Sequence, residues 1–323
     1  MYPNINSGLG LLMGNSLVDS PLMSDSTGRF FIVIGSTETN AAEIKAMYGN
    51  SYPDGTPVVY TTLGGAAAKC VAGRGDVIFL APGHAENISS ATALTMSISG
   101  VTVIGCGAGN LRPQITLDTA NTTTINVTAN NVSFKNVIFI ANFLAIASVF
   151  TLTTATDFQL IGCDFRDTSA VLDFLFIVTT AATSNAADGL TITGCKVISQ
   201  TAAGAIGFVS ALGTNDRWNI SGNSYFSVST SATALIPVAA GKILTDLLIL
   251  NNYFNIANAS GTATGWLLTT NGSTSTGLID GNKDSSLVTT PVMITASSGL
   301  FTGLNYHVDA DSKSMYLVPA ADS

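Results

Sequence analysis

Charge is what this chain has least of. Only 10% of its 323 residues are Asp, Glu, Lys or Arg, and 12 cations stand against 20 anions, a net charge of −8. No basic stripe exists to neutralise phosphates, which excludes nucleic acid as a partner. Two histidines, His84 and His307, stand far apart in the sequence. They share no metal or triad, and no GxSxG or Cys-His arrangement is present. Apolar residues make up 46% and mean hydropathy is +0.42. Yet the best apolar stretch, Val137 to Leu152, is interrupted by Asn142 and falls short of the roughly twenty residues a membrane span needs. No basic residue precedes Arg29, so the apolar Leu11, Leu12 and Met13 lack the flank of a secretory signal. The expectation is a chain with neither membrane nor export segment, assembled in a reducing cytoplasm. Sequons at Asn121, Asn126, Asn131, Asn219, Asn258 and Asn271 are then turn and ladder residues.

What is abundant is a repeated phrase: apolar, any, apolar, any, Gly or Asn, two residues, apolar. Its turn position falls at Gly105, Asn136, Gly162, Gly194, Gly222, Asn251, Gly281 and Gly303, in steps of 22 to 32 residues. Short period-two strands broken at that interval predict a β-solenoid. Two before the turn stand Val103, Phe134, Leu160, Ile192, Ile220, Ile249, Ile279 and Phe301. Three after it stand Phe139, Phe165, Val197, Tyr225, Phe254 and Tyr306. Alternation puts both columns in the interior. The turn needs a backbone that tolerates unusual angles, hence Gly and Asn. A third strand recurs after each turn, as in FLAIASVFTL from Phe143, VLDFLFIV from Val171, AIGFVSAL from Ala205 and GWLLTT from Gly265. Three strands per coil make an all-β, right-handed parallel β-helix with an N-terminal α/β cap. One coil buries too little to stand alone, so stability comes from stacking with capped ends.

The predicted organisation is an N-terminal arm over 1–28, a cap with short helices over 29–74, the β-helix over 75–308 and a C-terminal tail over 309–323. Within the cap, Phe30 to Ile34 reads as a strand and Ala41 to Tyr48 as a helix. Pro53-Asp54-Gly55 reads as a turn. A second helix, capped by Thr61 or Thr62 and stopped at Gly73, would cover the open lower end of the stack. YLVPAADS from Tyr316 would cover the upper end.

Cys106, Cys163 and Cys195 each follow a turn Gly. Coils rise by about 4.8 Å, which gives a line of reduced thiols and not a tetrahedral metal site. The third strand is apolar on both faces, with Leu172, Phe174, Phe176 and Val178 alternating with Val171, Leu175 and Ile177. This predicts an apolar wall along the rod, buried at the axis of a homotrimer.

VYTTLGGAAAKCVAGRGDVIFLAPGHAENI from Val59, NLRPQITL from Asn110 and the repeated turns together resemble a family of right-handed parallel β-helix proteins of tailed bacteriophages. The opening phrase is shared with pectate-lyase-like solenoids. The resemblance runs from about Gly28 to the C-terminal PAADS. It implies a virion component on the exterior of the head, a capsid decoration, cement or head-spike protein that meets the major capsid protein and has no enzymatic activity. The alternative is a receptor-binding or glycan-cleaving tailspike that meets a host-surface glycan. Its candidates are Asp164, Asp167 and Asp173, with Arg166 and Arg217, as paired acid and base. Asp164 and Lys196 share an outward column on adjacent coils, and a surface ion pair would explain both. The clustered Asp and Arg-x-Lys phrases of pectate lyases are absent, so no catalytic, cofactor-binding or metal-ligating residue is assigned. His84 reads as a turn residue bonded to nearby backbone, and Trp218 and Trp266 as packing.

Overall fold

The structure, a computed structural model, describes residues 28–49, 51–90, 92, 94–200, 206–228, 234–256, 264–269, 274–285, 292–294, 299–308 and 315–317. Most of the expected N-terminal arm, the sequons at Asn258 and Asn271 and the side chain of Trp266 lie outside the described residues. The chain is all-β, a parallel β-helix of about eight turns with few helices.

The cap comprises β1 (Phe30–Val33), α1 (Ala41–Tyr48), β2 (Val59–Tyr60) and α2 (Leu63–Ala67). β1 adds to the first coil strand in parallel, Phe30 against Val77 through Val33 against Leu80, and β2 adds to β1. The lower edge of that sheet is therefore closed by strands. α2 starts where the Thr62 hydroxyl accepts the Gly65 amide at 3.1 Å. It buries Leu63, Ala66 and Ala67 in the main core. It stops at Ala67, short of the expected Gly73, and Cys70 lies beyond it with its thiol on the Ala66 carbonyl.

Three sheets form the walls. The first runs from β2 and β1 through Val77–Leu80 and one strand per coil to Gly299–Thr302. The second runs from Ala85–Ile88 to Tyr306–Val308 and is closed by the antiparallel strand Met315–Leu317, inside the segment expected to cover that end. The third holds Leu94–Met96, Ile125–Val127, Phe150–Leu152, Phe176–Thr180 and Gly207–Ser210, and an Ala211 to Val238 bridge leads to its continuation. Inward columns stack in register, Phe134 on Leu160 on Ile192 and Phe139 on Phe165 on Val197. Phe139 and Phe165 stack face to face at 5.3 Å, and Phe134, Phe150 and Phe158 close around them. Each such ring contributes about 1.5 to 3 kcal/mol by leaving water.

At six of the eight turn positions φ is positive, from 55° at Asn251 to 68° at Gly281. Gly105 and Gly303 are the exceptions. At Gly105 the chain does not rotate its successor inward. Cys106 packs outside the coil with Val77 and Phe79, and Val137 takes the next place in the column. The expected line of three thiols reduces to Cys163 and Cys195, both buried in the main core. The last coil is displaced by one residue from its expected alignment. Phe301 pairs with Leu278 and Thr302 with Ile279, so Leu304 and not Gly303 occupies the turn. A one-residue slip exchanges faces. Phe301 is 76% exposed, and His307, not Tyr306, enters the interior.

The apolar wall expected on the third strand is present only in part. Its outward column reads Thr95, Asn126, Thr151, Thr179 and Ser210. Of the residues read from the sequence as the second face, Ile177 turns into the main core with Val149 and Phe208, while Val171 and Leu175 are exposed. The strands themselves are polar on that side, and Leu144, Val171, Leu175 and Leu212 beside them are exposed.

Candidate functional site

Strand alternation distributes the candidate carboxylates. On the strand Asp164–Asp167, Phe165 and Asp167 point inward while Asp164 and Arg166 point outward. Asp164 accepts from Arg112 Nη1 at 2.8 Å and Arg166 Nη2 at 2.7 Å, and Arg112 also donates to the Gly162 carbonyl at 2.8 Å. Lys196 stands beside Asp164 in register as expected, but its ammonium lies 5.5 Å over the Phe226 ring. The ion pair is made with the two arginines instead. The forked guanidinium of Arg112 reaches the carboxylate across coils and that of Arg166 along the strand, while the lysine is bound to an aromatic face.

Asp167 accepts from Ser199 Oγ at 2.9 Å, Gln200 N at 3.0 Å and Phe174 N at 3.2 Å. Burial pushes its carboxyl up to about 6, against those hydrogen bonds, and neighbouring Asp173 adds to the rise. Asp173 is buried and accepts the Ala145 amide at 2.8 Å, holding Ala145 at a φ of 50°. Asp164 and Asp167 therefore face opposite sides of the wall and cannot flank one glycosidic bond; Asp167 and Asp173 lie together beneath the loop that joins the second and third sheets. Arg217 sits on another turn beside Asp216, 3.4 Å away.

His84 is not bonded to backbone through its ring. Its Nδ1 lies 3.0 Å from Glu38 Oε1 and its Nε2 lies 3.2 Å from Glu86 Oε2, with the ring wholly buried. Glu38 also accepts the Ala85 amide, and Glu86 accepts the Leu63 amide at the start of α2. The cluster ties the turn before α1, the helix α2 and the first coil together. At the other end Asp284 and His307, in register on the inward column, bond at 2.8 Å. Both ends of the second sheet's interior thus carry a histidine with carboxylates. Trp218 is packing as expected, its indole donating to the Ala187 carbonyl at 2.8 Å.

Cys195 continues upward as an asparagine column, Asn223, Asn252, Asn282 and Asn305, each side chain bonded to the next. The Cys195 thiol is raised well above its ordinary value by the Cys163 hydrogen bond and by burial. Sequence reasoning did not single out Arg112, Glu38, Glu86 or this column. Its available signal was an Asn directly after the turn residue in SGNSY, LNNYF and DGNKD, the place cysteine holds in earlier coils. Among the described residues no group of three or more His, Cys, Asp or Glu is arranged to hold a metal ion, and no helix is long and apolar enough to cross a membrane.

No family model matches the sequence, and no curated protein matches it. A solved structure that is similar is the pectin methylesterase from Aspergillus niger in deglycosylated form. It is 13% identical, with a TM-score of 0.49, over 90% of this chain and 91% of that one. The expectation of a chain without enzymatic activity is withdrawn: the similar structure is that of an enzyme.

Proposed function

We propose that this chain is a structural protein of a tailed-bacteriophage particle, a rod on the exterior of the head that serves as a decoration, cement or spike. The observation that carries the reading is unbroken stacking. From Val77–Leu80 to Gly299–Thr302 each coil pairs its first strand with the next, so backbone groups are spent within the rod. Such a body holds its shape without a partner and resists proteases, as an exterior fitting must. The phrases from Val59 to Ile88 and from Asn110 to Leu117 carry the resemblance to that phage family. Copies would associate as a homotrimer and meet the major capsid protein; the polar column from Thr95 to Ser210, beside exposed Leu144, Val171 and Leu175, calls for a seam of mixed polar and apolar contacts.

The test is the copy number of the chain per purified particle, by quantitative mass spectrometry against the shell protein. A fixed symmetric fraction of the shell supports the reading. Absence from the particle sinks it. A handful of copies at the tail favours a second reading, a receptor-binding tailspike that holds or cleaves a glycan. Its supporting observation is the Asp167 carboxyl, lifted by burial to about 6 with Asp173 beside it. Release of reducing ends from host polysaccharide, lost in Asp173→Asn, would establish that reading.

A further inference from the structure

The outer face of the second sheet departs from the acidic character of the chain. Its two outward columns read Gln114, Ile138, Asp164, Lys196, Ser224, Tyr253, Lys283, Tyr306 and Thr116, Ile140, Arg166, Ile198, Phe226, Asn255. Three cations, Arg166, Lys196 and Lys283, stand on them against one carboxylate, Asp164, whereas the whole chain has 12 cations against 20 anions. Asp164 is already matched by Arg112 from outside the columns and by Arg166 on its own strand, which leaves Lys196 and Lys283 as the cations of this face without a carboxylate. Four consecutive coils then present Lys196, Phe226, Tyr253 and Lys283, one residue per coil, over about 14 Å at the usual strand spacing. Lys196, Tyr253 and Lys283 are exposed.

We propose that this line binds a carboxylated polysaccharide laid along the rod axis. Cations at both ends of the line match carboxylates on separated sugars, and the rings between them offer apolar faces to sugar C–H groups. The aromatic pair is held in place: Phe226 and Tyr253 meet edge to face at 5.9 Å and 62°, Lys196 lies over Phe226, and the Tyr253 hydroxyl bonds Ser285 at 3.2 Å. The same geometry disfavours nucleic acid, which needs a continuous run of cations and rings that stack parallel to successive bases. The inference holds whether the rod stands on head or tail, and so is independent of the function proposed above.

The experiment is calorimetric titration of the full chain with tetramers of mannuronate and galacturonate and with a hyaluronan oligomer, beside neutral maltotetraose and a thymidine oligonucleotide. At least one carboxylated oligomer is expected to bind, more weakly as salt rises, with no binding of the neutral tetramer. Lys196→Ala with Lys283→Ala, and separately Tyr253→Ala, should each weaken it tenfold or more, while Lys135→Ala on the first sheet leaves it unchanged. These side chains are exposed, so unaltered thermal unfolding checks that the variants fold. Equal binding of neutral and carboxylated chains, tighter binding of the oligonucleotide, or binding by none of them overturns the proposal.

Discussion

The side-chain amide of Asn223 donates to Asn252 Oδ1 at 2.9 Å, one coil away, and the same oxygen accepts the Asn223 backbone amide at 3.0 Å. Asn252 repeats both bonds with Asn282, and its amide also reaches the Ile220 carbonyl. Every donor and acceptor of that buried side chain is used, which makes a polar column tolerable inside an apolar stack.

Asn252→Ala should therefore destabilise the rod by about 3 kcal/mol, because it strands the Asn223 amide and the Ile220 carbonyl in the interior. Asn251→Gly, at the adjacent turn with φ of 55°, should change stability by less than about 0.5 kcal/mol. Urea unfolding of both variants checks this, and equal effects would refute the assignment of inward and turn positions.

Asp167 makes stability fall as pH rises. Its folded carboxyl titrates at about 6, above the ordinary 3.8, so between those values the folded chain holds a proton the unfolded chain has lost. The linkage term is fully present below about pH 4 and gone above about pH 6. Two units correspond to about 3 kcal/mol. The difference in unfolding free energy between the protein and Asp167→Asn, measured from pH 4 to 7, should change by an amount of that order. A flat difference would show the carboxyl to be unperturbed.

Asp76, buried beside the cap, accepts from Arg74 Nε at 2.6 Å and from the backbone amides of Arg29 and Val71, each at 2.8 Å. Burial alone would raise its carboxyl, but Arg74 and those amides together hold it below the ordinary value. Asp76→Ala should cost about 3 kcal/mol and speed hydrogen exchange in β1 more than in Gln159–Ile161 at mid-rod. Uniform exchange changes would mean that Asp76 is not what holds the cap.

The slipped last coil sets a contrast between Phe301 and Ile279, which the unslipped alignment would have placed in one inward column. Phe301→Ser, at an exposed position, should alter stability by less than about 0.5 kcal/mol, while Ile279→Ala in the interior should cost about 2 to 5 kcal/mol. Thermal unfolding of the pair decides whether Phe301 faces out.

The candidate site was less legible than the fold. Asp164, Asp167 and Asp173 lie within ten residues of one another and read as a cluster, yet alternation parts Asp164 from Asp167, and only Asp167 and Asp173 stay together. Arg112, which bonds to Asp164, lies 52 residues before it in sequence and two coils below. The carboxylates around His84 reach it from Glu38 and Glu86, one of them 46 residues away. No local pattern marks such partners, since they depend on how far a side chain spans between coils. Lys196 shows the same limit, its register foreseen and its partner not.

By itself the sequence determined the coil. Period-two apolar strands cannot hide one face except against other strands, and residues that accept a positive φ recur where the chain must bend, so parallel stacking follows from local chemistry. Tertiary structure alone decided the faces at the two ends, the company of each carboxylate and the polar surface of the third sheet. Those outcomes turn on single-residue shifts in loop length and on contacts between coils more than twenty residues apart, and a one-residue shift reverses every side chain on a strand while leaving its apolar content unchanged.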